Sequence, residues 1–237
     1  MAETILETGS SERSPTSAAT AARWRRLLVG GAVVFAVLLL GAALGMSLQR
    51  AGWVSTQPEG GTVDIGFAQD MSVHHRQAVL MAGLARERSA DPAIRLMAFD
   101  IETNQLEQIG RMQGWLSLWN AAPLPTGRYM TWMADSAAMP GMAHGSAGAA
   151  VMPGMASPAD LERLRAAEGT QFDVLFLQLM LRHHQGGAPM AQYTAEHGET
   201  TQVRNLAEKI VISQEAESEH LAQLITQRGA QPLPPPN

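Results

Sequence analysis

The chain contains no cysteine, which excludes disulfides, thiolate metal sites and cysteine nucleophiles. Charged residues make up only 16% of its 237 residues and the net charge is −5, so the basic face that nucleic-acid binding requires is missing. Aromatic residues are scarce, whereas methionines number 14 and supply soft thioether donors. No segment alternates apolar and polar residues with period two, so no strand is expected. Neither a Ser-His-Asp set nor paired carboxylates is evident, which points away from an enzyme.

One segment lacks charge altogether. Leu27 to Leu48 is an apolar run preceded by Arg23, Trp24, Arg25 and Arg26. About 20 apolar residues span a bilayer as a helix. The positive-inside rule then keeps residues 1–26 in the cytoplasm and exports the rest. A cleaved signal peptide is the alternative; the long leader and full-length run favour a retained single-pass anchor. Residues 1–26 form a polar cytoplasmic tail, disordered through its Ser/Thr/Ala-rich part. Residues 27–48 form the membrane helix, 49–62 a linker, 63–229 the exported domain and 230–237 a Pro-rich tail.

Within that domain a His-His pair occurs twice at a fixed offset. Phe67-Ala-Gln-Asp-Met71-Ser-Val-His74-His75 is echoed by Phe176-Leu-Gln-Leu-Met180-Leu-Arg-His183-His184. The same offset relates Asp64 to Asp173, Met81 to Met190, Ala98 to Ala207, Ile101 to Ile210 and Gln105 to Gln214. A constant offset over such a stretch marks a duplicated structural unit. The pairs hold four of the seven histidines.

The helical period is visible in both copies. It predicts one helix from about Asp64 to Arg88. A second, capped by Asp91-Pro92, runs to about Asn120. Ser157-Pro158 starts a short helix ending at Gly169. A capping box at Thr170–Asp173 starts the third long helix, which ends by Gly198. The fourth runs from about Thr201 to Gly229. Residues 121–156 form the long connection. Two repeated hairpins joined in this way point to an all-α four-helix bundle about a pseudo-two-fold axis.

Steps of 100° place His74 and His183 at the centres of inward stripes and His75 and His184 on the flanks. The second and fourth helices bring Gln105 and Gln108, and Gln214 and Glu217, to the same level. Burying such groups unpaired costs a few kcal/mol each. Two readings follow: a hydrogen-bond network that fixes helix register, or metal ligation. A ligand set of His74, His75, His183, His184, Met71 and Met180, with Glu217 as the sole inner carboxylate, suits copper, especially Cu(I), better than a hard cation. Zinc through histidine and a carboxylate is the alternative. Oxygen-activating di-iron sites need a carboxylate from nearly every helix. Pro189, following Gly186 and Gly187, predicts a kink that either opens the site or reflects close packing on glycine.

The connection carries its own candidates. Met139, Met142 and His144, then Met152 and Met155, lie in two Met-Pro-Gly-Met motifs, with Met130 and Met133 upstream. They either capture a soft ion or form an apolar lid over the bundle.

The segment Met152 to Leu161, Phe172-Asp173, Met180-Leu-Arg-His183-His184-Gln185-Gly186 and Met190-Ala191 resembles domain-of-unknown-function family 305. Asp64 to Ala82 resembles its amino-terminal half, and the likeness spans residues 62–228. It implies a ferritin-like bundle, usually exported or membrane-anchored, with polar positions at His74, His75, His183, His184, Gln105, Gln214 and Glu217. Some relatives are linked to copper handling. The chain departs from the family pattern at Gln108, Gly187 and Pro189. The resulting expectation is an extracytoplasmic metal-binding protein, a copper buffer or chaperone. The alternatives are a metal-dependent enzyme and a helical docking module with structural histidines, whose protein partner the sequence does not name.

Overall fold

The computed structural model describes residues 16–50, 59–133 and 148–236, all helical apart from connecting turns and one isolated bridge. The chain divides between Gln57 and Pro58 into two compact units.

The first unit contains α1, Thr16–Arg50. Its segment Ala21–Leu48 is long and apolar enough to cross a membrane, and its large apolar side chains are exposed. The helix starts earlier than the apolar run because the alanines around Ala18 to Ala22 favour helix strongly.

The second unit contains α2 (Thr62–Arg88), α3 (Pro92–Leu118), α4 (Pro158–Ala166), α5 (Gly169–His197) and α6 (Thr201–Gln227). The α2–α3 and α5–α6 hairpins meet through α2 against α5. Asp64, at the start of α2, accepts from the backbone N–H groups of Glu199 and Thr200, just after α5. Arg88, at the end of α2, donates to the carbonyls of Arg165 and Ala167, just before α5. The two histidine helices therefore run antiparallel.

Local chemistry sets the boundaries in matching pairs. Asp91 caps α3 through the N–H of Ala93, and Thr200 caps α6 through the N–H of Val203. The C-termini of α3 and α6 both end in Schellman turns, with Asn120 and Gly229 at φ 53° and 67°. Ala121 N–H donates to the Leu116 carbonyl at 2.9 Å and Ala230 N–H to that of Ile225 at 3.2 Å. Ser157 and Asp160 form a full capping box on α4. The box expected at Thr170–Asp173 does not form. Gly169 turns the chain with positive φ, the helix has already begun, and Glu168 makes no side-chain cap. The short helix α4 likewise stops at Ala166 rather than at Gly169.

The buried apolar residues form two clusters that exchange under the pseudo-two-fold. One contains Met81, Ile94, Ile101, Phe176, Met180 and Leu221. The other contains Phe67, Met71, Met112, Met190, Val203 and Ile210. The four paired histidines belong to neither cluster.

Candidate metal centre

All four paired histidines are completely buried. The rings of His74 and His183 lie 3.8 Å apart between centroids, so the imidazoles of the two hairpins converge as the duplication predicts. His75 and His184, expected on the flanks, are equally enclosed because α3 and α6 cover that side. His75 Nε2 is 2.6 Å from Gln108 Oε1, and His184 Nε2 is 2.6 Å from Glu217 Oε2. The two contacts are equivalents under the duplication.

The remaining Nε2 atoms face backbone carbonyls. His74 Nε2 is 3.2 Å from the Pro153 oxygen, and His183 Nε2 is 3.0 Å from the His74 oxygen. Every partner of an Nε2 is thus a carbonyl, amide or carboxylate oxygen, which can only accept. Each Nε2 therefore donates, and in the neutral ring the Nδ1 presents a bare lone pair. All four Nδ1 atoms are buried without a hydrogen-bond partner. Burial drives His74 down to about 4, opposed by the Pro153 carbonyl. It drives His75 down to about 3, helped by the neighbouring His74, and it holds His183 well below the usual range. The neutral imidazole, the form that binds metals, is the form the fold imposes.

Gln105 and Gln214 lie in the same layer, each 3% exposed, and none of their amide atoms has a partner. A register-fixing network would pair these groups. The structure pairs Nε2 and leaves Nδ1 and both amides open. An imidazole that donates from one nitrogen to an oxygen and offers the other is the arrangement metal-ligating histidines adopt. Among the described residues, no group of three or more His, Cys, Asp or Glu side chains is arranged to hold a metal ion. An ion here would take imidazoles from the converging rings, completed by an amide oxygen or a thioether. Low coordination by soft donors is a property of Cu(I).

Met71 and Met180 are both fully buried but lie in different apolar clusters. Glu217, expected among the ligands, contacts His184 through Nε2 and so orients that ring. Met152 is 2% exposed and packs in the cluster of Met71, while Met155 is partly buried beside it. This Met-Pro-Gly-Met segment lies against α5 as a lid, the reading in which Met152 is apolar cover. Met139, Met142 and His144 lie outside the described residues.

One glycine on α5 and one in the segment itself allow the lid its close approach. A side chain on Gly186 would overlap the backbone of Pro153, and one on Gly154, at φ 76°, would lie 2.5 Å from the Arg182 carbonyl. The lid is latched by Gln77, whose amide donates to the Ala156 carbonyl at 3.0 Å and accepts from its N–H at 2.6 Å. Helix α5 runs unbroken through Pro189. Close packing thus accounts for Gly186. The Asp70 carboxylate accepts from the Met130 N–H and from Trp132 Nε1, tying the connection to α2.

Sequence reasoning missed the Pro153 carbonyl, a backbone group remote from His74 in the chain. It also missed that the duplication reaches the tail. Ala121 to Pro125 matches Ala230 to Pro234 at the same offset, and Gln69 and Gln178 donate to the equivalent carbonyls of Ala122 and Gln231.

No curated protein sequence is similar to this chain. Solved structures are. A DUF305 protein of Streptomyces coelicolor, whose name marks it as a candidate for secretion, is 40% identical, with 73% of this chain and 97% of that one covered and a TM-score of 0.64. A DUF305 fragment from Deinococcus radiodurans is 29% identical over 72% and 99%, with a TM-score of 0.57. CopM in its Cu(II)-bound form is 26% identical over 69% and 96%, with a TM-score of 0.53, and CopM has also been solved bound to Cu(I). The family model described as domain of unknown function DUF305 matches residues 64–225, and the chain is a member of that family.

Proposed function

We propose that this chain is a membrane-anchored, extracytoplasmic copper-handling protein that holds Cu(I) as cargo in its buried histidine layer. The carrying observation is the four buried imidazoles that each donate from Nε2 to an oxygen and leave Nδ1 enclosed without a partner. The unpartnered amides of Gln105 and Gln214 add oxygen donors at the same level. Copper is favoured over zinc because the groups left open in this layer are imidazoles and amides, the Glu217 carboxylate being engaged by His184. The copper-bound forms of CopM, a similar structure, support that choice. The apolar stretch of α1 supports anchoring, and the arginines at its start support export of the rest.

The full-length chain in detergent, titrated with Cu(I) against a chromophoric chelator, is expected to bind with defined stoichiometry. The variant His74→Asn/His75→Asn/His183→Asn/His184→Asn is expected to lose that binding while keeping its helical circular dichroism. Replacement of Met139, Met142, Met152 and Met155 by leucine is expected to leave the histidine-dependent ion in place. Retention of the ion by the folded histidine variant would overturn the assignment.

A further inference from the structure

The two copies are equivalent in fold but not in charge. A groove of about 710 Å³ opens between α5 and α6, and His184 and Gln214 form its inner wall. Four exposed carboxylates also line it: Glu196, Glu208, Glu215 and Glu219. Their equivalents on the α2–α3 face are Glu87, Phe99, Leu106 and Gly110, a single acid. Two further lining residues, Gln185 and Ala195, correspond to Arg76 and Arg86, and Arg86 pairs with Glu102 at 3.1 Å. One face is thus strongly negative, while on the other Arg76 and Arg86 balance Glu87 and Glu102 among apolar side chains.

The interior differs on the same side. His184 is held by the Glu217 carboxylate, whereas His75 is held by the Gln108 amide. Gly187 stands where the other copy has Ala78. A Cβ there would lie 2.9 Å from His74 Cε1, 3.2 Å from Gln214 Oε1 and 3.3 Å from His74 Nδ1. The missing methyl leaves room between two orphaned donors, His74 Nδ1 and Gln214 Oε1. The acidic mouth, the carboxylate-backed histidine and the vacant Cβ position all favour a cation from the α5–α6 side. A cleft lined by one sign of charge raises the local concentration of the opposite ion and its rate of capture.

We propose that a soft metal cation enters the bundle through the acidic groove between α5 and α6 and is held at His184, His74 and Gln214 rather than at the equivalent His75 side. This rests on the copper-handling reading and adds a direction and a side to it. Glu196, Glu208, Glu215 and Glu219 collect the ion without ligating it in the loaded state.

The test uses the full-length chain in detergent and Ag(I) in chloride-free buffer, with uptake measured by rapid desalting and metal analysis. The variant Glu196→Gln/Glu208→Gln/Glu215→Gln/Glu219→Gln should load about tenfold more slowly at low ionic strength. High salt should abolish the difference, and the final stoichiometry should match wild type. His184→Asn should weaken Ag(I) retention at least about tenfold more than its pseudo-equivalent His75→Asn does. Unchanged loading rates, or equal losses in the two histidine variants, would overturn the proposal while leaving copper handling intact. A lower final stoichiometry in the glutamine variant would make the carboxylates ligands and also overturn it. Equal uptake by wild type and the four-histidine variant would overturn both readings.

Discussion

Gly187 and Ala78 occupy equivalent places in the two copies and differ by one methyl group. Alanine is better than glycine inside a helix by about 1 kcal/mol, yet a Cβ at Gly187 would press on the His74 ring and fill the space beside Gln214. We expect Gly187→Ala to shift unfolding stability by no more than about 1 kcal/mol, the propensity gain offsetting the tight contact. It should weaken Cu(I) binding about tenfold or more, a loss of at least about 1.4 kcal/mol. Urea unfolding and chelator competition measure the two effects separately, and an unchanged affinity would remove the role given to that space. Gly186 behaves differently because its neighbour is the Pro153 backbone, which cannot swing away like a side-chain tip. Gly186→Ala should cost about 1–3 kcal/mol. It should also displace the lid, so that a histidine N–H signal bonded through Nε2 to Pro153 exchanges faster with solvent. A stability within error of wild type would contradict the close approach.

At the level of elements, the repeat was the most legible feature because both copies bury the same stripe at the same period. Phe67, Met71, His74, Ala78 and Met81 could be placed from spacing alone, and all are buried. The tail repeat escaped because Ala230 to Pro234 has no helical period, although it matches Ala121 to Pro125 at every position but Gln231. The lid escaped for another reason: its key contact is a backbone carbonyl, and spacing rules describe side chains. The candidate ligands were legible as residues, but the pattern that leaves four Nδ1 atoms unpartnered needed the acceptor on each Nε2. Helix α1 was visible as composition, and its orientation is open to test. With no native cysteine, single cysteines report cleanly. An impermeant maleimide on intact cells should label Gln227→Cys freely and Ser10→Cys only after permeabilisation. Labelling of both from outside would refute the proposed topology, and loss of the Ser10→Cys label in mature protein would indicate cleavage.

For the whole molecule, the histidine layer couples folding to acidity. His74 is pushed down to about 4 and His75 to about 3, and His183 also lies well below its ordinary value. In the unfolded chain each would titrate near 6.5. Between that value and the depressed one, the unfolded chain binds more protons, so stability rises with pH and falls as the solution is acidified. Each histidine contributes a slope of about 1.4 kcal/mol per pH unit below 6.5. Asp64 and Asp70 act in the opposite sense, because burial raises their carboxyls and the fold favours their protonated forms as pH approaches the carboxylate range. The histidine slope begins at higher pH, so it governs the first loss. Urea unfolding of the metal-free chain should therefore show a plateau above pH 7 and a decline of several kcal/mol by about pH 5. A bound cation occupies the Nδ1 lone pairs that the protons need and stabilises the folded state by mass action. The loaded chain should hold its stability further into acid and release its ion where the two curves converge. Parallel curves for the free and Ag(I)-loaded chain, or a free chain equally stable at pH 7.5 and 5, would mean that the buried imidazoles govern neither unfolding nor metal release.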